Sequence, residues 1–131
     1  MMKLDVVFPG GKKVDVLYHD FRIRSDQPVE DGGENSAPSP YDLFLSSIAA
    51  CAGYYVIAFL AQRGISAEGL AMTMSCEKNE QTRTIGKIGI AIKLPAGFPE
   101  KYKNAVIKAA ELCGVKKHFV YPPQFSVFIE N

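Results

Sequence analysis

Two cysteines stand where sulfur chemistry could be built. Cys51 lies within "SPYDLFLSSIAACAGYYVIAFLAQRG", which carries no charged side chain between Leu43 and Ala61, and Cys113 ends "AAELC" immediately before Gly114. A thiolate attacks peroxide oxygen and becomes a sulfenic acid, which a second thiol captures as a disulfide. Cys51 sits too deep in its expected helix for the positive helix start to ionise it, so a cation from elsewhere is required. Arg22 and Arg24 alternate onto one face of "DFRIR" and are the leading candidates. Their alternative role is that of two solvated strand-face charges. Cys76 follows Leu70, Met72 and Met74 on one face of an alternating stretch, where packing as a small hydrophobe explains it.

Several elements must position these residues. Alternation in "KLDVVF" and "KKVDVLYHDFRIRS" predicts two or three early strands, with "PGGK" as the first turn. "SDQPVEDGGENSAPSP" reads as a turn-rich surface connector leading to a long helix over about residues 40–63. Ser39 is placed to cap that helix, Pro40 suits its first position, Asp42 completes a capping box and Gly64 provides the stop. Apolar residues encircle much of it, so a single packed face is not enough; packing against the sheet and a second subunit is expected.

Downstream, "GLAMTMSC" and "IGIAIKLP" predict a pair of strands joined by the polar "EKNEQTRT" turn. A second helix is expected from Pro99 to about Leu112, with Gly114 breaking regularity beyond it. "YPPQFSVFIEN" reads as a proline-rich turn and a last strand bearing Phe125, Val127 and Ile129 on one side. The pattern is that of one α+β domain over residues 1–131.

The chain has 131 residues, 47% of them hydrophobic, which suffices for a core without disulfide or metal staples. Fifteen basic and fourteen acidic residues leave a net charge of +1, giving no nucleic-acid footprint. The uncharged helix is long enough to cross a bilayer, but its serines, alanines and capping signals fit a core helix better, so no membrane role is expected. Three cysteines without framework spacing, and an opening "MMKLDVVFPG" with no apolar signal run, favour the cytoplasm. No paired-ligand spacing or phosphate cradle is present, so neither a metal nor an organic cofactor is expected.

"SPYDLFLSSIAAC", followed much later by "LCGVKKHF", resembles the OsmC/Ohr superfamily. The resemblance implies an α+β fold with antiparallel sheets around a long central helix, in an intertwined homodimer. It also implies a thiol-dependent peroxidase of organic hydroperoxides, with Cys51 peroxidatic and Cys113 resolving. An arginine of the amino-terminal sheet, Arg22 or Arg24, would support the Cys51 thiolate, and an external thiol or dithiol would restore the reduced pair. Where family peroxidases commonly carry a glutamate that organises this arginine, the chain has Tyr41, with Asp42 beside it as a catalytic candidate. Cys113 is followed by glycine rather than the family's familiar proline. The competing expectation is a noncatalytic dimer of the same fold that binds a small apolar ligand or serves a structural role.

Overall fold

The structure is a computed structural model in which residues 1–130 are described. The chain forms two compact units, residues 1–46 and the residues from Ser47 onward, with the division falling inside the long helix.

In the first unit, β1 (Asp5–Gly10), β2 (Lys13–Tyr18) and β3 (Phe21–Ile23) form an antiparallel sheet in that order. Val6 pairs with Val16, and Val16 pairs with Ile23 on its other side. The β1–β2 turn is the expected one: Gly11 adopts a φ of +58°, in the left-handed region that favours glycine. The connector to the long helix is tied down rather than loose. Asp26, 1% exposed, accepts hydrogen bonds from Ser36 Oγ at 2.6 Å and from the backbone N–H groups of Gln27, Ser36 and Glu34 at 2.8, 3.0 and 3.3 Å. Four donors on one carboxylate replace its lost hydration and gather residues 27–36 around it. Gly33 passes so close to Gln27 that a Cβ would lie 2.0 Å from that residue's carbonyl oxygen, leaving room for no other residue type.

The long helix α1 (Pro40–Gln62) begins and ends on local signals. Ser39 Oγ accepts from Asp42 N–H at 3.2 Å while the Asp42 carboxylate accepts from Ser39 N–H at 3.0 Å, closing the capping box. At the far end Gly64 has a φ of +63°, Ile65 N–H reaches Leu60 O at 3.0 Å and Gly64 N–H reaches Ala61 O at 3.2 Å, the paired bonds of a Schellman stop.

In the second unit, β4 (Ala71–Asn79) and β5 (Thr84–Lys93) form an antiparallel hairpin with Met72 opposite Ile92 and Met74 opposite Ile90. Val56, Phe59 and Leu60 of α1 meet Val106 in the core, with Leu70, Met72, Ile92, Leu94 and Tyr102 packed against them. The Arg63 guanidinium lies 3.6 Å from the Phe59 ring centroid and donates to Phe59 O at 3.2 Å, covering one end of this core.

Three expectations change in this unit. The helix predicted from Pro99 to Leu112 is a 3-10 turn (Glu100–Tyr102) followed by α2 (Lys103–Ala110), and Gly114 opens α3 (Gly114–Val120) rather than ending regular structure. Cys76 is exposed, because the inner face of β4 is covered only as far as Met74. No strand forms over residues 121–130, where Phe125, Val127 and Ile129 are fully exposed. A strand needs a neighbouring strand for its backbone N–H and C=O groups, and none of the described strands pairs with this segment.

Candidate functional site

Along α1, Ile48, Ala52, Val56 and Leu60 recur every four residues as a buried stripe, and Cys51 lies at its margin, half-buried. Cys113 is the residue before α3 and is 3% exposed. Its Sγ accepts from Lys116 N–H at 3.4 Å, so a sulfur fills the capping place that serine or aspartate commonly takes. Cys51 has Cys113 and the backbone N–H groups of Val115 and Gly114 as its neighbours.

These contacts drive the two thiols apart in acidity. The Cys51 pKa is lowered, chiefly by the Cys113 hydrogen bond and then by Val115 N–H; burial opposes this and Gly114 N–H adds to it. The Cys113 pKa is raised, first by burial and then by its hydrogen bond to Cys51, with Lys116 and Val115 N–H groups pulling the other way. The two acidities are shifted in opposite directions. Neither cysteine is in a disulfide.

Cys51 and Cys113 therefore come together, and their immediate support is a set of groups that sequence reasoning passed over. The backbone donors at the start of α3 were hidden because Gly114 read as a stop. The available signal was "CGVKKHF" itself, in which a small capping-capable side chain precedes a run compatible with one more helical segment.

The other candidates have these positions. Arg22 Nη1 pairs with the buried Asp15 carboxylate at 2.6 Å, so its charge already has an anion beside it. Arg24 is exposed just past β3 and makes no ion pair among the described residues. Asp42 holds the cap of α1. Tyr41 is exposed, with its ring stacked on Phe44 at 6.0 Å between centroids. His118 Nδ1 lies 2.8 Å from Gly114 O, beside the start of α3.

A long core helix, antiparallel strands and two neighbouring thiols shifted in opposite directions describe a dithiol α+β protein. Residues 33–127 match the family described as OsmC-like protein, and the chain belongs to that family. Among solved structures it is similar to a protein from Psychrobacter arcticus assigned to the osmotic stress and detoxification response, at 23% identity and a TM-score of 0.75, covering 89% of this chain and 87% of that one. It is also similar to an OsmC-like protein from Mycoplasma pneumoniae at 14% identity and a TM-score of 0.71, covering 92% and 87%. A third is an organic hydroperoxide resistance protein OsmC from Legionella pneumophila, at 23% identity and a TM-score of 0.59, covering 91% and 88%. No curated protein matches the chain. Although α1 is long and apolar enough to span a membrane, in this fold it is the core helix.

Proposed function

We propose that the protein is a metal-free, thiol-dependent peroxidase that reduces organic hydroperoxides in the cytoplasm. The observation that carries this reading is the nearness of Cys51 and Cys113, with the Cys51 pKa lowered and the Cys113 pKa raised. The family, and the hydroperoxide resistance named for the Legionella relative, support the choice of oxidant.

Cys51 thiolate attacks the distal peroxide oxygen, the O–O bond breaks, and an alcohol leaves. The Cys51 sulfenic acid then condenses with Cys113 to a disulfide and water, and an external thiol or dithiol returns both sulfurs to the thiol state. Arg22 or Arg24 supplies a cation to Cys51 and to the peroxide oxygen, and Asp42 is a participant in that network. The working form is a homodimer, and its apolar surfaces favour a hydroperoxide with an organic tail.

Stopped-flow mixing of the reduced protein with cumene hydroperoxide and with hydrogen peroxide tests the assignment. Fast loss of one thiol, faster with the organic oxidant and abolished in Cys51→Ser, is expected, followed by a Cys51–Cys113 bond in the peptide mass map. Slow oxidation that Cys51→Ser leaves unchanged would return the protein to the noncatalytic reading, in which the fold binds a small apolar ligand or only assembles.

A further inference from the structure

Turnover of the proposed peroxidase closes when an external thiol or dithiol breaks the Cys51–Cys113 bond, and a disulfide offers two sulfurs to attack. We infer that the reductant attacks Cys51, along the path by which the hydroperoxide arrived, and that Cys113 is the sulfur that leaves. The inference rests on the peroxidase reading.

The direction of each displacement at Cys51 follows from the one before it. Displacement at sulfur runs in line, with the entering and leaving atoms on opposite sides. When Cys113 attacks the Cys51 sulfenic acid, the oxygen delivered by the peroxide therefore departs on the side away from Cys113. A reductant attacking Cys51 must also enter opposite Cys113, which is the side that this oxygen has just vacated. The route that admitted the hydroperoxide is the route the reductant needs.

Cys113 offers no equivalent. It is 3% exposed, whereas Cys51 is only half-buried on α1. The in-line approach to Cys113 lies on the side of its sulfur away from Cys51, and no reagent has come that way earlier in the cycle. Leaving-group acidity works in the opposite sense: the pKa of Cys51 is lowered and that of Cys113 raised, which makes Cys51 the better leaving group. Access outweighs it, because acidity scales only an attack that can take place, and a buried sulfur must first be uncovered. When Cys113 leaves, its thiolate also regains the Lys116 N–H, which stands 3.4 Å from the sulfur in the reduced protein.

The steps balance. A reductant thiolate forms a bond to the Cys51 sulfur, the Cys51–Cys113 bond breaks, and Cys113 departs as a thiolate that takes a proton from solvent. A second reductant thiolate then attacks the reductant sulfur held on Cys51, and Cys51 leaves as its thiolate. Two electrons pass from the reductant, which becomes a disulfide, to the cysteine pair.

The test traps the mixed disulfide in the unaltered protein. Samples are oxidised with cumene hydroperoxide or, separately, with diamide, and peptide mapping checks for the Cys51–Cys113 bond. Each is mixed with 2-mercaptoethanol, quenched in acid at successive times, alkylated with N-ethylmaleimide in denaturant and mapped again. Mercaptoethanol on Cys51 with maleimide on Cys113 is expected in at least about 10-fold excess over the reverse isomer at the earliest times, because access sets which sulfur is attacked. Equal amounts of the two isomers, or an excess of the reverse one, would overturn the inference while leaving the peroxidase assignment intact. A bond that diamide forms and cumene hydroperoxide does not would remove the peroxidase assignment, and with it the shared path. No Cys51–Cys113 bond with either oxidant would remove both.

Discussion

Asp15 and Arg22 face each other between β2 and β3 with Oδ2 2.6 Å from Nη1, the carboxylate side chain 7% exposed and the guanidinium 46%. The pair is asymmetric. Removing the arginine strands a buried anion, whereas neutralising the aspartate leaves a cation that water still reaches. Arg22→Met is therefore expected to destabilise the fold by about 1–3 kcal/mol, and Asp15→Asn, which keeps an acceptor for Arg22, by less than about 1 kcal/mol. Urea unfolding of both variants checks this; equal, small losses would mean that the pair behaves as an ordinary surface contact.

Cys51 should be alkylated before Cys113. Its pKa lies below the ordinary value of 9.0 while that of Cys113 lies above it, so iodoacetamide near neutral pH is expected to label Cys51 well ahead of Cys113. Val115→Pro deletes one N–H donor to Cys51 at a first-turn position that tolerates proline. The midpoint of the Cys51 rate–pH profile should then move up, because a donor to the charged form has been lost. Arg22→Met and Arg24→Met belong in the same series. Whichever raises the midpoint identifies the supporting cation, and no movement in either variant would assign the thiolate to Cys113 and α3 alone.

The connector around Asp26 should give way in acid. Hydrogen bonds from the Ser36 hydroxyl, then from backbone N–H groups of Ser36 and Gln27, lower the Asp26 pKa from 3.8 to about 2. A carboxyl depressed in the folded state stabilises the fold above its unfolded pKa, and that contribution is lost as the pH falls from 3.8 through about 2. Asp26→Asn is expected to melt below wild type at neutral pH, since its NH2 group meets donors. The gap should narrow across that acid window. A gap that stays constant from neutral pH to below 2 would mean that the ionised form is not what holds the loop.

The exposed tail bears on assembly. Phe125, Val127 and Ile129 are 89%, 97% and 90% exposed and alternate along the segment, as a half-buried strand would. A homodimer in which a second copy covers this stripe is expected to show twice the chain mass in light scattering. Deleting residues 122–131 should abolish that mass or cause precipitation. A single-chain mass for the intact protein at micromolar concentration would rule out the dimer.

Much of the scaffold was legible because its instructions are local. Ser39, Asp42 and Gly64 mark the ends of α1 through bonds to their own neighbours, and alternation around Met72, Met74, Ile90 and Ile92 marks the hairpin. Alternation assigns Cys76 to a face, but it does not say whether anything covers that face, and the structure leaves the residue exposed. The final strand failed for a related reason, since its partner is not written in the segment itself. The meeting of Cys51 and Cys113 depends on how α1 packs near the start of α3, which no spacing rule encodes; family resemblance supplied the pairing, and Gly114 concealed the helix that frames it.

The sulfur that caps α3 also makes the backbone a witness to the redox state. Once Cys113 is bound to Cys51, the bond angle at its sulfur is set by the disulfide, and the sulfur turns toward Cys51 and away from the Lys116 N–H that it accepts from in the reduced form. The Lys116 amide should therefore exchange with deuterium faster in the disulfide form than in the reduced form. Oxidation would be recorded at a peptide group as well as at the sulfurs, and hydrogen exchange could follow turnover without any reagent touching a cysteine.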